Sequence, residues 1–531
     1  MIGYPENRSS GLYLQDIMKS LSKGANEVRF RARGIDYTGS YMLERSAEIR
    51  NSLIEKGLKP GDRCVFAASD DVGAMVAVFG ILRAGGIVVG LPNFQSPSMW
   101  KRFIEDSSPS AAVVEDYLAE RVIELAGLSS FEKGLVVIDA AGMVESPPAG
   151  RDRWADVDMP PESKVCIRYT SGSTGDPKGI VLTSKYMSEA SRRTAMTFGD
   201  REGETFLLLT PPTEVVGYSM ATTALIQGAV TVIYSGKASP EGILMAIEEE
   251  GVHSLFLPPS QMVKLADSPA LDFADVSSLR RIVYCGQSFF PEALDRARSK
   301  LGCELSQFYG QTETSMLTWL TPEDHESGDL SILGSAGRPV SAPRTLIEIR
   351  DPSTGRAVET GRVGHIFVKS DITAKEVWSH SEKRFEKDGW WDTEDLGSFD
   401  DRGYLTIKGR DRDMILYRAY TIFCKDVEER LMECEGVKEA AVHAVSDKED
   451  GEHVFAWIVP SDSSRIPSVS DMDKHVEESL GPWYRPSHYG TVKNLAHFSD
   501  SLISPPSGAA TPPAESRPDS ASSPTRSRPR T

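Results

Sequence analysis

Strand-sized apolar runs alternating with helical stretches constrain this chain more than any other feature. Cys64-Val65-Phe66-Ala67-Ala68 is a short continuous apolar run, of the kind buried in a parallel sheet. A helical stretch from Val72 to Arg83 follows, and Ile87-Val88-Val89-Gly90-Leu91 is a second buried strand. Upstream, residues 41–57 place Met42, Ser46, Ile49 and Leu53 on one stripe, with Glu44, Arg45, Glu48 and Glu55 elsewhere, which predicts an amphipathic helix. Gly57 stops that helix, and Lys59-Pro60-Gly61-Asp62 forms a turn. Strand, helix and strand alternate in this way to about residue 300, the pattern of an α/β sheet.

The texture changes near residue 330. Residues 345–369 carry short strands, 345–349 and 366–368, joined by Gly- and Pro-containing turns, and imply a small β-rich subdomain. Beyond Gly409-Arg410, a helix at 425–435 and strands at 440–444 and 454–459 imply a compact α+β domain. The reading is therefore an α/β fold with a large N-terminal domain of several subdomains, residues 1–409, and a small C-terminal domain, residues 410–503. Residues 504–531 are dominated by Pro, Ser, Ala, Thr and Arg; such a stretch cannot bury enough surface to offset its ordering entropy and is expected to be disordered.

Composition removes several classes of function. With 59 Lys plus Arg against 77 Asp plus Glu, the net charge of -18 argues against a protein that grips a nucleic-acid backbone, though not against one that binds a single nucleotide. The six cysteines, Cys64, Cys166, Cys285, Cys303, Cys424 and Cys434, include no CxxC pair and read as reduced, mostly buried thiols. The N-terminus has no signal-peptide pattern, and the most apolar segment, Val72 to Leu91, is broken by Arg83 and Gly85-Gly86, so no membrane span is expected and the cytoplasm is the expected compartment.

The most informative segment is Tyr169-Thr170-Ser171-Gly172-Ser173-Thr174-Gly175-Asp176-Pro177-Lys178-Gly179, directly after a strand at 164–168. Its three glycines let backbone N–H groups turn inward, its hydroxyls add donors and Lys178 adds a positive charge, which together make a nest for a polyphosphate. It is neither a Walker A loop nor a nucleophile elbow, because both spacings are wrong.

This loop closely resembles the phosphate loop of the adenylate-forming superfamily, which includes acyl-CoA synthetases, stand-alone adenylation enzymes and luciferases. Further segments resemble that family's motifs in the right order: Tyr309-Gly310-Gln311-Thr312-Glu313 its YGxTE, Gly334 to Pro339 its GxxGxP, Gly389-Trp390-Trp391-Asp392-Thr393-Glu394-Asp395 its GWxxTGD, and Gly403-Tyr404-Leu405 with Gly409-Arg410 its GYxxxxGR. Lys59 to Arg63 and Gly80 to Gly85 fit its N-terminal pattern. The resemblance covers roughly residues 25 to 500.

It implies activation of a carboxylic or amino acid by ATP as an acyl-adenylate with release of pyrophosphate, then transfer to a thiol of CoA or of a carrier protein's phosphopantetheine. It assigns the triphosphate to Thr170, Ser171, Gly172, Ser173, Thr174, Gly175 and Lys178, and Mg²⁺ to Glu313, a hard carboxylate. Thr312 would bond the α-phosphate. Tyr309 would lie against adenine, with Gly310 and Gln311 in the same motif, and Gly286 and Gln287 belong to the loop flanking adenine and acyl group. Asp395 would accept both ribose hydroxyls, Arg410 would add a ribose contact, and Arg412 stands at the hinge about which a mobile C-terminal domain swings. The acyl pocket is implied near Glu214, Gly217 and Gly286.

Three segments depart from the family pattern. No lysine stands where the family's adenylation half-reaction uses one: one register places Ala509 there, another Pro505, and Lys493 and Lys474 are wrongly spaced. Either adenylation is impaired, leaving in the limit a nucleotide-binding pseudoenzyme, or the last residues reflect a shifted reading frame. Ala419 stands where many relatives carry a glycine along the pantetheine path, which leaves the acceptor open between CoA and a carrier protein. Glu214 replaces the usual histidine or aromatic gate; it either pairs with an amine on the substrate, favouring an amino acid, or turns to solvent.

Overall fold

The alternation of apolar strands and helices builds two large sheets in the computed structural model, which describes residues 12–495 apart from 94, 127–133, 149, 151–153, 171–177, 200, 237, 286–290, 341–344, 375, 379–387, 411–413, 418–419, 448–450, 463–466, 482–483 and 494. Among the described residues, one sheet has seven strands in the order Val377–Trp378, Lys178–Thr183, Lys164–Thr170, Ile87–Gly90, Arg63–Ala67, Ala111–Glu115 and Leu135–Ile138. The other has nine, in the order Arg338–Pro339, Ser315–Leu320, Glu304–Gln311, Arg281–Tyr284, Ser254–Phe256, Thr205–Leu208, Val230–Ile233, Val28–Ala32 and Ile35–Thr38. Most neighbours in both sheets run parallel. The antiparallel exceptions include the two hairpins that matter below, Lys164–Thr170 with Lys178–Thr183 and Glu304–Gln311 with Ser315–Leu320.

The helix Val72–Arg83 shows why the sequence pattern works. Asp71 caps it, its carboxylate accepting from the Val72 amide at 2.7 Å, and every residue along it is buried. A helix apolar all round must lie inside the fold, and this one contributes to a core shared with Phe30, Ile49, Cys166, Tyr186 and Tyr218.

The expected stripe of the amphipathic helix, now Gly39–Glu55, is fully buried at Met42, Ser46, Ile49 and Leu53. Its charged side is covered as well: Glu48 is 9% exposed and Arg50 only 3%. Glu48 is paired within the helix by Arg45 at 2.7 Å, and Arg50 by a loop acid from far along the chain. Asp156 accepts from both Arg50 and Arg83, the latter at 2.7 Å, and so permits two guanidinium groups to leave water together.

A four-stranded sheet, Leu346–Arg350, Gly364–Lys369, Trp391–Phe399 and Leu405–Arg410, forms the β-rich part expected after residue 345. The chain divides into two units, residues 1–393 with 397–407, and 394–396 with 408–531. In the second, the helices Cys424–Met432 and Val469–Leu480 pack with a sheet of Val437–Asp447, Gly451–Pro460 and His488–Thr491. Its two long strands exceed the expected five and six residues because their polar ends continue the antiparallel ladder, Asp447 opposite Gly451. All six cysteines are free, and among the described residues no helix is long and apolar enough to cross a membrane.

Candidate active site

Two hairpins carry the residues singled out in the sequence. In the first, Thr170 stands opposite Lys178 and Tyr169 opposite Gly179, so residues 171–177 are the connection between two antiparallel strands. The expected phosphate ligands Ser171, Gly172, Ser173, Thr174 and Gly175 lie in that connection, outside the described residues. Its base is firmly anchored. The Tyr169 ring stacks on Phe103 with centroids 4.3 Å apart, and the Tyr169 hydroxyl donates to Asp106 Oδ2 at 2.7 Å.

The second hairpin joins Glu304–Gln311 to Ser315–Leu320 and holds Tyr309, Gly310, Gln311, Thr312 and Glu313. Gly310 is required by close approach, since a β-carbon there would collide with the Ser315 carbonyl. Ser315 itself takes a left-handed φ of +57°. The Thr314 hydroxyl accepts from the Gln311 amide at 3.1 Å, and the Thr314 amide donates to the Gln311 carbonyl at 3.2 Å, closing the turn.

Two outside groups then fix its tip. The Tyr186 hydroxyl donates to the Thr312 carbonyl at 2.7 Å, and the Ala374 amide donates to the Glu313 carbonyl at 2.7 Å. Behind them, fully buried Arg193 donates to the Met316 carbonyl at 2.8 Å. Glu313 is thus a carboxylate 6% exposed on a backbone that cannot shift freely. Among the described residues no group of three or more His, Cys, Asp or Glu is arranged to hold a metal. Magnesium keeps several waters and takes only one or two protein carboxylates beside phosphates, so a single rigid Glu313 suits it.

Gln311, in the motif that implies a nucleotide contact, also has a structural task. Its side-chain amide donates to the Thr393 carbonyl at 2.8 Å and accepts from Trp391 Nε1 at 3.2 Å, clamping the Trp391–Phe399 strand. Tyr309 packs partly buried beside Leu317, Ile349, Ile366, Val368 and Leu405.

Asp395, on the Trp391–Phe399 strand, is 6% exposed. Before it, Glu394 adopts φ +59° where the resembled motif has glycine, a conformation that costs a side-chain-bearing residue about 1–2 kcal/mol. Arg410 ends the Leu405–Arg410 strand, while Arg412, Gly286 and Gln287 lie outside the described residues, as do Ala419, Pro505 and Ala509.

Glu214 occupies the N-cap position of the helix Val215–Gln227 without making a capping bond, and is half-buried rather than turned to solvent. Burial pushes its carboxyl above the usual carboxylate range, and the Arg168 guanidinium pulls it back. Gly217 lies in the first turn of that helix, where a β-carbon would run into the Pro211 carbonyl. Cys285 borders the same region, but burial pushes its thiol up to about 12, so it is no nucleophile at neutral pH.

Tyr186, Ala374 and Arg168 carry no signal in the sequence. A tyrosine on an ordinary helix and a backbone amide from a distant loop carry no motif. Tyr186→Phe is expected to lower the adenylation rate about threefold to tenfold, because one hydrogen bond of ~0.5–1.5 kcal/mol would no longer hold the Thr312 carbonyl. Steady-state ATP–pyrophosphate exchange checks it: a fall in kcat with the KM for ATP little changed is the expected outcome.

The family model for AMP-binding enzymes matches residues 19–378, and that for the AMP-binding enzyme C-terminal domain matches residues 426–497. A fatty acid–[acyl-carrier-protein] ligase, ScoC, of Streptomyces coeruleorubidus is 27% identical over 90% of this chain and 90% of its own. A feruloyl-CoA synthase of an Amycolatopsis species is 29% identical over 94% of this chain and 97% of its own. Among solved structures, the amide bond synthetase McbA from Marinactinospora thermotolerans superposes with a TM-score of 0.81 at 29% identity, covering 91% of this chain and 95% of its own. ATP-bound MatB from Rhodopseudomonas palustris shares the fold, with a TM-score of 0.82 at 22% identity over 92% of this chain and 95% of its own. The chain belongs to the AMP-binding enzymes, the adenylate-forming superfamily whose motifs it carries in order.

Proposed function

We propose that the chain activates a carboxylic acid with ATP and passes the acyl group to a thiol. The carrying observation is the hairpin tip: buried Glu313 beside Thr312, with both carbonyls pinned by Tyr186 and Ala374. In the first half-reaction a carboxylate oxygen of the acid attacks the α-phosphorus of ATP, a new P–O bond forms, and pyrophosphate leaves with the electrons of the broken one. In the second, a thiol sulfur attacks the acyl carbonyl and AMP departs.

Most of the first barrier is met by placing reactants and by donors aimed where charge develops on the α-phosphate. Thr312 is the side chain at that position, and Lys178, opposite Thr170, brings positive charge to the end of the phosphate connection. Bound magnesium supplies charge compensation on the phosphates, and Glu313 is the residue to hold it. Asp395 is the ribose acceptor and Arg410 a further ribose contact.

The acceptor is proposed as CoA or a carrier protein's phosphopantetheine. An amine acceptor is the second reading, supported by the 29% identity to an amide bond synthetase. The test is acid-dependent exchange of labelled pyrophosphate into ATP across fatty, aryl and amino acids, followed by capture of the adenylate with CoA, a pantetheinylated carrier protein or an amine. Exchange with one class supports adenylation and names that class. ATP binding without exchange for any acid instead supports a pseudoenzyme.

A further inference from the structure

The strand before the phosphate connection, Lys164–Thr170, is apolar and buried on both faces from Val165 to Ile167, and Arg168 follows. Side chains alternate along a strand, so Arg168 points to the same side as Cys166. Cys166 belongs to the core cluster that contains Tyr186 and Tyr218, whereas Ile167 and Tyr169 pack on the opposite side with Trp100 and Phe103. Arg168 is therefore directed toward the helices Ser184–Phe198 and Val215–Gln227, not toward bulk solvent.

The start of the second helix lies beside it. The Thr213 carbonyl is pressed against Gly90, at the end of the Ile87–Gly90 strand that pairs with Lys164–Thr170 through Val88 and Cys166. Glu214 is the next residue, and the influence of Arg168 reaches Glu214, Tyr186 and Cys285 alike. Arg168 is near the carboxyl end of Lys164–Thr170, and Glu214 and Cys285 follow those of Thr205–Leu208 and Arg281–Tyr284, each a strand with a parallel neighbour, the place where ligands bind in α/β sheets.

Arg168 is half-buried. Among the described residues it makes no hydrogen bond or ion pair, and the Glu214 side chain makes none either. A guanidinium has five donors in a rigid fork, and charges withdrawn from water in folded proteins are normally paired. Glu214 stands close enough to bias the local field without engaging the fork.

We propose that Arg168 is a specificity determinant that receives a second carboxylate on the acid substrate, so that the chain activates dicarboxylic acids, or acids with an equivalent anionic group, in preference to plain fatty or aryl acids. This rests on the adenylation reading above. Glu214 acts as the counter-charge that keeps the pocket from holding a carboxylate too strongly, rather than as the partner of a substrate amine.

The test uses non-hydrolysable acyl-sulfamoyladenosines, whose binding is read by calorimetry without turnover. They are made from matched acids: aliphatic mono- and dicarboxylic acids of four to eight carbons, and benzoic acid with its three carboxylated isomers. In at least one pair the wild-type chain is expected to bind the conjugate with the extra carboxylate at least tenfold more tightly. Arg168→Met removes that preference and leaves the plain conjugate's affinity within about twofold. Arg168→Lys keeps the charge but not the fork and falls between them. Glu214→Gln raises the preference further, a change that a merely structural role would not produce.

If Arg168→Met fails to fold by circular dichroism, the Lys and Glu214→Gln variants carry the comparison. Preference for the plain member of every pair in the wild type overturns the inference alone, as does an undiminished carboxylate preference in folded Arg168→Met. Binding of no adenosine conjugate at all overturns the adenylation reading, and this inference with it.

Discussion

Glu313→Gln is expected to lower acid-dependent ATP–pyrophosphate exchange by about 10²–10³, by analogy with the loss of one preorganised group from a charge-stabilising site. The substitution is nearly isosteric and removes only the negative charge. The contacts that hold the hairpin are made by backbone: the Thr312 carbonyl with Tyr186 and the Glu313 carbonyl with Ala374. They do not depend on the carboxylate, so the melting temperature should stay within a few degrees of the parent. The residual activity should also need more magnesium to saturate. Exchange at the parental rate, with unchanged magnesium dependence, would show that Glu313 does not perform the role its position implies.

What could be read from the sequence was set by how local the responsible physics is. The helix Val72–Arg83 was legible to the residue because its burial on every side appears as an uninterrupted apolar run with an aspartate cap. The burial of Arg50 in Gly39–Glu55 was not legible, because its partner, Asp156, lies about a hundred residues away in a loop. At the site, Thr312 and Glu313 stood out through the motif they complete, but the groups that pin them belong to unrelated elements. Gln311 shows what a motif leaves unsaid: its side-chain amide ties down the strand that carries Trp391 and Thr393, a long-range contact with no local signature. Glu394 shows the converse, since the glycine of the resembled motif acquires a reason only once the left-handed φ at that position is seen. Arg168 carries no such signal, because one polar residue near a strand's end is what alternation leads one to expect.

The missing lysine yields the other large effect. As the α-phosphate is attacked, negative charge grows on its oxygens and on the departing pyrophosphate, and a lysine aimed there stabilises the transition state more than the ground state. The chain offers no replacement among its neighbouring lysines. Lys474 lies on the exposed face of the Val469–Leu480 helix, 3.9 Å from Glu478 one turn on, and Lys493 is exposed just beyond the His488–Thr491 strand. Installing the donor, as Pro505→Lys in one register or Ala509→Lys in the other, is therefore expected to raise exchange by about 10²–10³, the size of the effect of one well-placed donor. Only one of the two variants should respond, because the family's motif has a single register. Transfer from a chemically prepared acyl-adenylate to a thiol should be unchanged in both, since no charge develops on the α-phosphate in an attack on the acyl carbonyl. The two half-reactions can be timed separately by single-turnover quench. A gain confined to adenylation supports the assignment of the missing role. Rapid exchange by the parent chain, unaltered by either lysine, would mean that donors elsewhere already stabilise the α-phosphate, and that the substitution at this position has no chemical consequence.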